Sequence, residues 1–310
     1  MKYLILGAGG TGGALGFALS SHQKDVTLLA RGEHLAVMKA KGLTLHRLFD
    51  GTSTTVPVKA LSEDEIVSSH LHPDVILVCV KYYSLTSIVP LIRKVAVSST
   101  IVLPILNVFG TGEKLQEMLP DLTVLDGCIY VSAEKSAPGE LTQHGPIFRV
   151  VFGEREPSGK LDPRLHAIEQ DFTDSGITPV LSSNVRRDCL EKFSYVSALG
   201  AAGLYFHAHC GDFQKEGKER DLFISMIKEI AAIADAMGCG FEKDIVATNL
   251  QILSGIEPSG TTSMQQDVAA GRSSEVDGLV YQVVERGHAL HVPVPSYEMV
   301  AKELRFRSLV

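Results

Sequence analysis

The chain has 310 residues, 45% of them hydrophobic and 21% charged, with a formal net charge of −7. That size allows two ordinary domains with a substantial core, while the acidic balance and the absence of a long Lys/Arg run argue against a nucleic-acid partner. No stretch approaches the roughly 18 uninterrupted apolar residues of a membrane span, and the N-terminus opens on a strand pattern rather than a signal peptide.

Tyr3 to Leu6 reads as a strand and Gly10 to Ser21 as a small-residue helix. Asp25 to Ala30 is a second strand and Glu33 to Lys41 a second helix, and Asp50-Gly51 marks a hairpin turn between two short strands. Asp74 to Val80 and Ile101 to Ile105 are apolar almost throughout, as in parallel strands covered on both faces. Strands spaced by helices imply a Rossmann-type doubly wound α/β sheet. Val124 to Val131, Gly139 to Thr142 and Phe148 to Gly153 are expected to extend it at one edge. Beyond about residue 183 strand signals stop and helical windows follow: Asp221 to Met237, Val276 to Leu290, and Ser296 to Phe306 after Pro293 and Pro295. We therefore expect a Rossmann-type domain over 1–183 and an all-helical C-terminal domain over 184–310. Five scattered cysteines (Cys79, Cys128, Cys189, Cys210, Cys239) without a C-x-x-C pair predict free thiols and a cytoplasmic setting.

Gly7-Ala8-Gly9-Gly10-Thr11-Gly12 satisfies G-x-G-x-x-G. The pattern alone is weak, but here it closes the first strand and opens the first helix. Glycines there permit a tight turn, close approach to a pyrophosphate and close helix–sheet packing, and the helix N-terminus favours phosphate. The second strand ends Leu28-Leu29-Ala30-Arg31-Gly32. Where NAD enzymes commonly carry an acid for the ribose 2′-hydroxyl, Arg31 offers a guanidinium to a 2′-phosphate, which argues for NADP(H). The competing reading leaves Arg31 solvated and gives the ribose to Glu33. Lys81 and Asn107 follow strands at their carboxyl ends, where ligands bind in open α/β sheets; a surface lysine and a turn-capping asparagine are the plain alternatives.

These stretches, with Ala30 to Leu35, Val78 to Lys81, Asn107 with Gly110, and above all Ser263-Met264-Gln265-Gln266-Asp267 with Gly271-Arg272 and Glu275-Val276-Asp277, resemble the ketopantoate (2-dehydropantoate 2-) reductase family over essentially the whole chain. The resemblance implies NADPH-dependent reduction of a 2-oxo acid to a 2-hydroxy acid. It makes Lys192, within Leu190-Glu191-Lys192-Phe193, the general acid; composition alone would leave it a solvated helix lysine paired with Asp188. It also implies that Asn107 touches cofactor and substrate, that Lys81 and Ala133 line the cofactor, that Ser263 bonds the substrate and that Glu275 lies near the cofactor ribose.

The chain departs from the family where asparagines one and two helical turns beyond the lysine would face the substrate: Val196 and Gly200 stand there, and Cys210 aligns with a third. Val196 offers a methyl surface and Gly200 offers space, so a less polar and wider pocket is expected. Ser194 and Ser197 lie off that stripe. The alternatives to ketopantoate reduction are a D-2-hydroxyacid dehydrogenase of the same fold acting on branched or aromatic 2-oxo acids, and a non-catalytic NADP-binding regulator. No metal site is expected from His207-Ala208-His209-Cys210, because alternate residues on a helix diverge. The expected partner is a small 2-oxo acid, and the chain is read as a monomer or homodimer.

Overall fold

The computed structural model describes residues 1–156 and 161–307. The chain divides into two compact units, one of residues 1–106 with 110–185 and one of residues 107–109 with 186–310; 308–310, within the expected helical domain, lie outside the described residues. In the first unit the order is β1 (Lys2–Leu6), α1 (Gly10–Ser21), β2 (Asp25–Leu29), α2 (Gly32–Lys41), β3 (Leu43–Arg47), β4 (Thr52–Val56), β5 (Lys59–Leu61), α3 (Glu63–Ser68), β6 (Val75–Val78), α4 (Val89–Val95), β7 (Ile101–Pro104), α5 (Thr111–Met118) and β8 (Thr123–Val124). Then come β9 (Asp126–Ala137), β10 (Glu140–Gly153), α6 (Pro163–Asp174) and β11 (Thr178–Leu181).

Six parallel strands form the first sheet in the order β5-β2-β1-β6-β7-β8. Order reverses on either side of β1, the doubly wound arrangement whose ligands lie at the carboxyl ends of the strands. The apolar runs Val75–Val78 and Ile101–Pro104 are buried at every position, as their composition predicts.

One expectation fails. The stretches from Val124 to Gly153 do not extend this sheet at its edge, apart from Val124 in β8. They build a second sheet, in the order β11-β10-β3-β4 with β9 also paired to β10. β10 runs through the break assumed between residues 142 and 148. It pairs parallel to β3 over Glu140 to Gln143 and to β11 over Arg149 to Phe152, and antiparallel to β9 along its length, with a register shift between Gln143 and Phe148. That irregularity lets one strand span two neighbours while its hydrophobic pattern looks interrupted.

The second sheet explains the small residues of α1. An ideal Cβ on Gly16 would stand 2.4 Å from Leu28 of the first sheet, and one on Gly13 would stand 2.8 Å from Leu141 of the second. The helix is pressed from two sides, and Gly12 to Leu19 are all buried.

The second unit is helical: α7 (Val185–Phe206), α8 (Cys210–Phe213), α9 (Lys218–Ala236), α10 (Ile245–Ser254), α11 (Ser263–Ala269), a π-helical turn (Asp277–Tyr281), α12 (Gln282–Ala289) and α13 (Pro295–Phe306). α13 begins where Pro295 removes a donor, and Glu229 of α9 accepts the backbone N–H groups of Ser296 and Tyr297 at 2.7 and 3.1 Å. Among the described residues no helix is long and apolar enough to cross a membrane.

Candidate active site

In the first unit, Gly7 holds φ +102°, with its ideal Cβ 2.9 Å from the Cys79 carbonyl, so glycine is required there. Gly10 sits against β9: its ideal Cβ would be 2.1 Å from the Ala133 carbonyl oxygen, which locates Ala133 directly beside the turn. Gly9 is different. It is exposed, and an ideal Cβ on it would meet no heavy atom within 4 Å. The turn is thus closed on the protein side and open at Gly9, at the N-terminus of a 12-residue helix with no acidic residue in its first turn. That cradle fits a dinucleotide pyrophosphate. Thr11 is half-buried and Gly12 buried in the first turn of the helix.

Arg31 is exposed at the N-cap of α2, and Glu33 is exposed in its first turn. Lys81 is half-buried just beyond β6, where its carbonyl accepts the Ser84 N–H. His34, which the sequence did not single out, is buried one turn into α2. Its Nδ1 accepts the Gly139 N–H at 2.8 Å, so its hydrogen is on Nε2, which donates to the Ala8 carbonyl at 2.9 Å. Burial holds its pKa below the ordinary 6.5; the Ala8 bond acts against burial and Lys135 acts with it.

In the second unit, Asn107 and Lys192 are brought together. The Lys192 ammonium donates to Asn107 Oδ1 at 2.8 Å. Asn107–Phe109 clusters with the helices rather than with the strand it follows. Phe109 explains this, since its ring lies 6.2 Å from that of Phe193 and carries the Arg286 guanidinium 5.2 Å from its centroid. Asp188, the expected partner of Lys192, has the Arg187 guanidinium at 3.6 Å.

The stripe beyond Lys192 is only partly as expected. Val196 is half-buried. Gly200 does not leave open space: an ideal Cβ there would come 2.8 Å from Met264 Cε and 3.6 Å from Thr262 Oγ1. The thioether of the residue after Ser263 fills the volume. Cys210 is buried, its backbone N–H donates to the Gly260 carbonyl at 2.9 Å, and burial pushes its thiol pKa up. Ser194 and Ser197 are committed inward. The Ser194 hydroxyl donates to the Glu191 carbonyl and accepts from Asn249 Nδ2 at 2.8 Å. The Ser197 hydroxyl donates to the Leu279 carbonyl in the π-helical turn and accepts from Tyr297, both at 2.6 Å.

The string that carries the resemblance also has structural work. Ser263 is the exposed first residue of α11, with Thr262 as its cap. Gln265 closes the capping box and donates to the Ala208 carbonyl at 2.8 Å, and Arg272 bonds Asp267 at 2.9 Å. Glu275 is buried at 4% exposure. His207 and His209 are not on a helix as assumed. His207 follows α7 in a turn with φ +54° and meets Arg307, and His209 precedes α8. Groups of three or more potential metal ligands are absent among the described residues.

Two family models match the chain, Ketopantoate reductase PanE/ApbA over residues 3–157 and its C-terminal counterpart over 184–308. The chain belongs to the ketopantoate reductase family. It is 28% identical to a 2-dehydropantoate 2-reductase of Mesorhizobium japonicum, over 98% of this chain and 97% of that one. A solved PanE/ApbA family ketopantoate reductase from Ralstonia eutropha JMP134 matches with a TM-score of 0.85 at 27% identity, covering 99% of this chain and 98% of that one. A ternary structure of D-mandelate dehydrogenase with NADH and anilino(oxo)acetate shares the fold, with a TM-score of 0.88 at 18% identity and coverage of 100% and 99%. The family comprises NAD(P)-dependent oxidoreductases acting on CH–OH groups.

Proposed function

We propose that this protein reduces a small 2-oxo acid to the 2-hydroxy acid with NADPH. The observation that carries the reading is the Lys192–Asn107 hydrogen bond, which pairs a cationic proton donor with an orienting amide. Residues 1–183 would hold the dinucleotide, through the Gly7 to Gly12 turn, Arg31, Lys81 and Ala133. Residues 184–310 would supply the catalytic groups and the substrate contacts. When bound, the reduced nicotinamide supplies a hydride to the substrate carbonyl carbon. Negative charge then develops on the carbonyl oxygen, where protonated Lys192 stabilises it and donates the proton. Asn107, its Oδ1 occupied by Lys192, turns its Nδ2 donors to the substrate, and Ser263 adds a hydroxyl. Glu275 would lie near the cofactor ribose.

The filled stripe favours a second substrate class. With Val196 and Gly200, the latter covered by the Met264 thioether, at positions where the resemblance puts amides, branched or aromatic 2-oxo acids lose less polar solvation there than hydroxylated ketopantoate. Steady-state oxidation of NADPH and NADH with ketopantoate, 2-oxoisovalerate and phenylglyoxylate distinguishes the cases. Turnover of any of them with NADPH supports the reading. Tight dinucleotide binding without turnover would make the chain a regulator, and a preference for NADH would overturn the cofactor assignment.

A further inference from the structure

We infer that His34 is a positioning residue for the dinucleotide turn, holding the Ala8 carbonyl so that the Gly9 N–H is presented to the cofactor phosphates. The inference rests on the dinucleotide reading above and assigns a role to a side chain which that reading leaves unused.

The argument starts from peptide geometry. Ala8 is buried, so its carbonyl needs a donor inside the protein. The trans peptide that joins Ala8 to Gly9 is planar, with C=O and N–H pointing in opposite directions. Anchoring the Ala8 oxygen at 2.9 Å to His34 Nε2 therefore sets the direction of the Gly9 N–H, at the one glycine of the turn whose ideal Cβ meets open space. The anchor is itself fixed, because His34 Nδ1 accepts from Gly139, and the Gly139 carbonyl accepts from Thr44 at 2.9 Å. Gly139, at φ +75°, forms the turn between β9 and β10. His34 also belongs to α2, whose N-cap is Arg31. One imidazole thus ties the pyrophosphate turn to the helix that presents the proposed 2′-phosphate ligand. A side chain with a donor and an acceptor on separate atoms at this spacing is needed; a lysine has no acceptor, a serine carries both on one atom of a short side chain, and an apolar residue has neither.

His34→Phe keeps ring volume and removes both bonds, whereas His34→Gln offers a donor and an acceptor on one amide. Dissociation constants for NADPH and NADH, kcat at saturating cofactor, melting temperature and amide exchange at Gly9 are measured on each. His34→Phe is expected to weaken both dinucleotides about tenfold, the loss of one oriented hydrogen bond. Its kcat at saturation should be unchanged, and Gly9 exchange faster. His34→Gln should restore affinity to within about threefold of the wild type, since its amide replaces both bonds. A folded His34→Phe variant with wild-type affinity, or a His34→Gln variant as weak as it, overturns the inference. Nitrogen-15 shifts placing the hydrogen on Nδ1 do so as well. A wild type that binds neither dinucleotide counts against the cofactor reading instead; Gly9 exchange then decides the strut, and equal rates in wild type and His34→Phe sink it.

Discussion

The Lys192 ammonium donates to Asn107 Oδ1 across 2.8 Å, joining residues 85 positions apart in the chain. The bond commits the Asn107 amide oxygen to the lysine, which under the proposed function leaves its Nδ2 for the substrate. It pairs the ammonium with a neutral amide oxygen.

Lys192→Ala should lower kcat by roughly 10²–10⁴, the usual effect of removing a positioned general acid. Dinucleotide affinity should hardly change, because the glycine turn belongs to the other unit. Single-turnover kinetics with a good 2-oxo acid check this, and near-normal turnover would return Lys192 to a structural role.

Arg31→Ala should weaken NADPH by about 1.5–3 kcal/mol, the value of a charge-assisted hydrogen bond, and NADH far less. Fluorescence titration with both dinucleotides reads the difference. If Glu33 bonds the ribose instead, the two affinities fall together or NADH binds better in the wild type.

A plain aliphatic or aromatic 2-oxo acid should be reduced with a kcat/KM about 5–150-fold above that of ketopantoate, whose hydroxyl loses water and finds no amide at Val196 or Gly200. Competition between ketopantoate and 2-oxoisovalerate at equal concentration measures it. Ser197, polar but off that stripe, is bound to the Leu279 carbonyl and Tyr297, so it is not expected to rescue ketopantoate. Met264→Ala should admit bulkier side chains, since the thioether is what fills the volume beside Gly200. A clear preference for ketopantoate would show that a group elsewhere reads its hydroxyl.

Asp171 supplies a pH-dependent contribution to stability. Burial raises its pKa, but hydrogen bonds from Lys24 and Tyr3 outweigh burial and hold the carboxyl below the ordinary 3.8. A depressed carboxyl stabilises the fold fully above its unfolded value, and that stabilisation is lost as pH falls through the lower folded-state value. The urea midpoint of Asp171→Asn should therefore lie below that of the wild type at pH 6, with the gap closing as pH drops beneath 3.8. A gap independent of pH would show that the side chain acts by packing alone.

The parallel sheet was legible because strands buried on both faces leave continuous apolar runs, as Val75–Val78 and Ile101–Pro104 do. The glycine turn was legible because at Gly7, Gly10 and Gly12 a Cβ would run into neighbouring backbone. The second sheet was misassigned because β10 changes neighbours at a bulge, and a change of partner leaves no periodic signal. Around Lys192 the sequence singled out the lysine and the asparagine, but not the tilted contact of Phe109 with Phe193, rings 6.2 Å apart, that helps bring them together; two phenylalanines read as ordinary core. Gly200 shows the limit most clearly. A missing side chain in sequence looks like space, and only packing reveals that Met264 has taken it.

β10 pairs over its first half with β3 and over its second with β11, so the central strand of the second sheet is complete only once residue 181 has been made. A nascent chain that has already produced β1, α1, β2 and the glycine turn still has one flank of α1 uncovered, the flank that Leu141 later closes against Gly13. Non-local pairing of this kind slows folding and leaves apolar surface open while it waits. The turn proposed to bind the cofactor therefore waits on a segment far later in the chain before its helix is covered. Chaperone dependence and sensitivity to early truncation should concentrate in the stretch before β11 emerges.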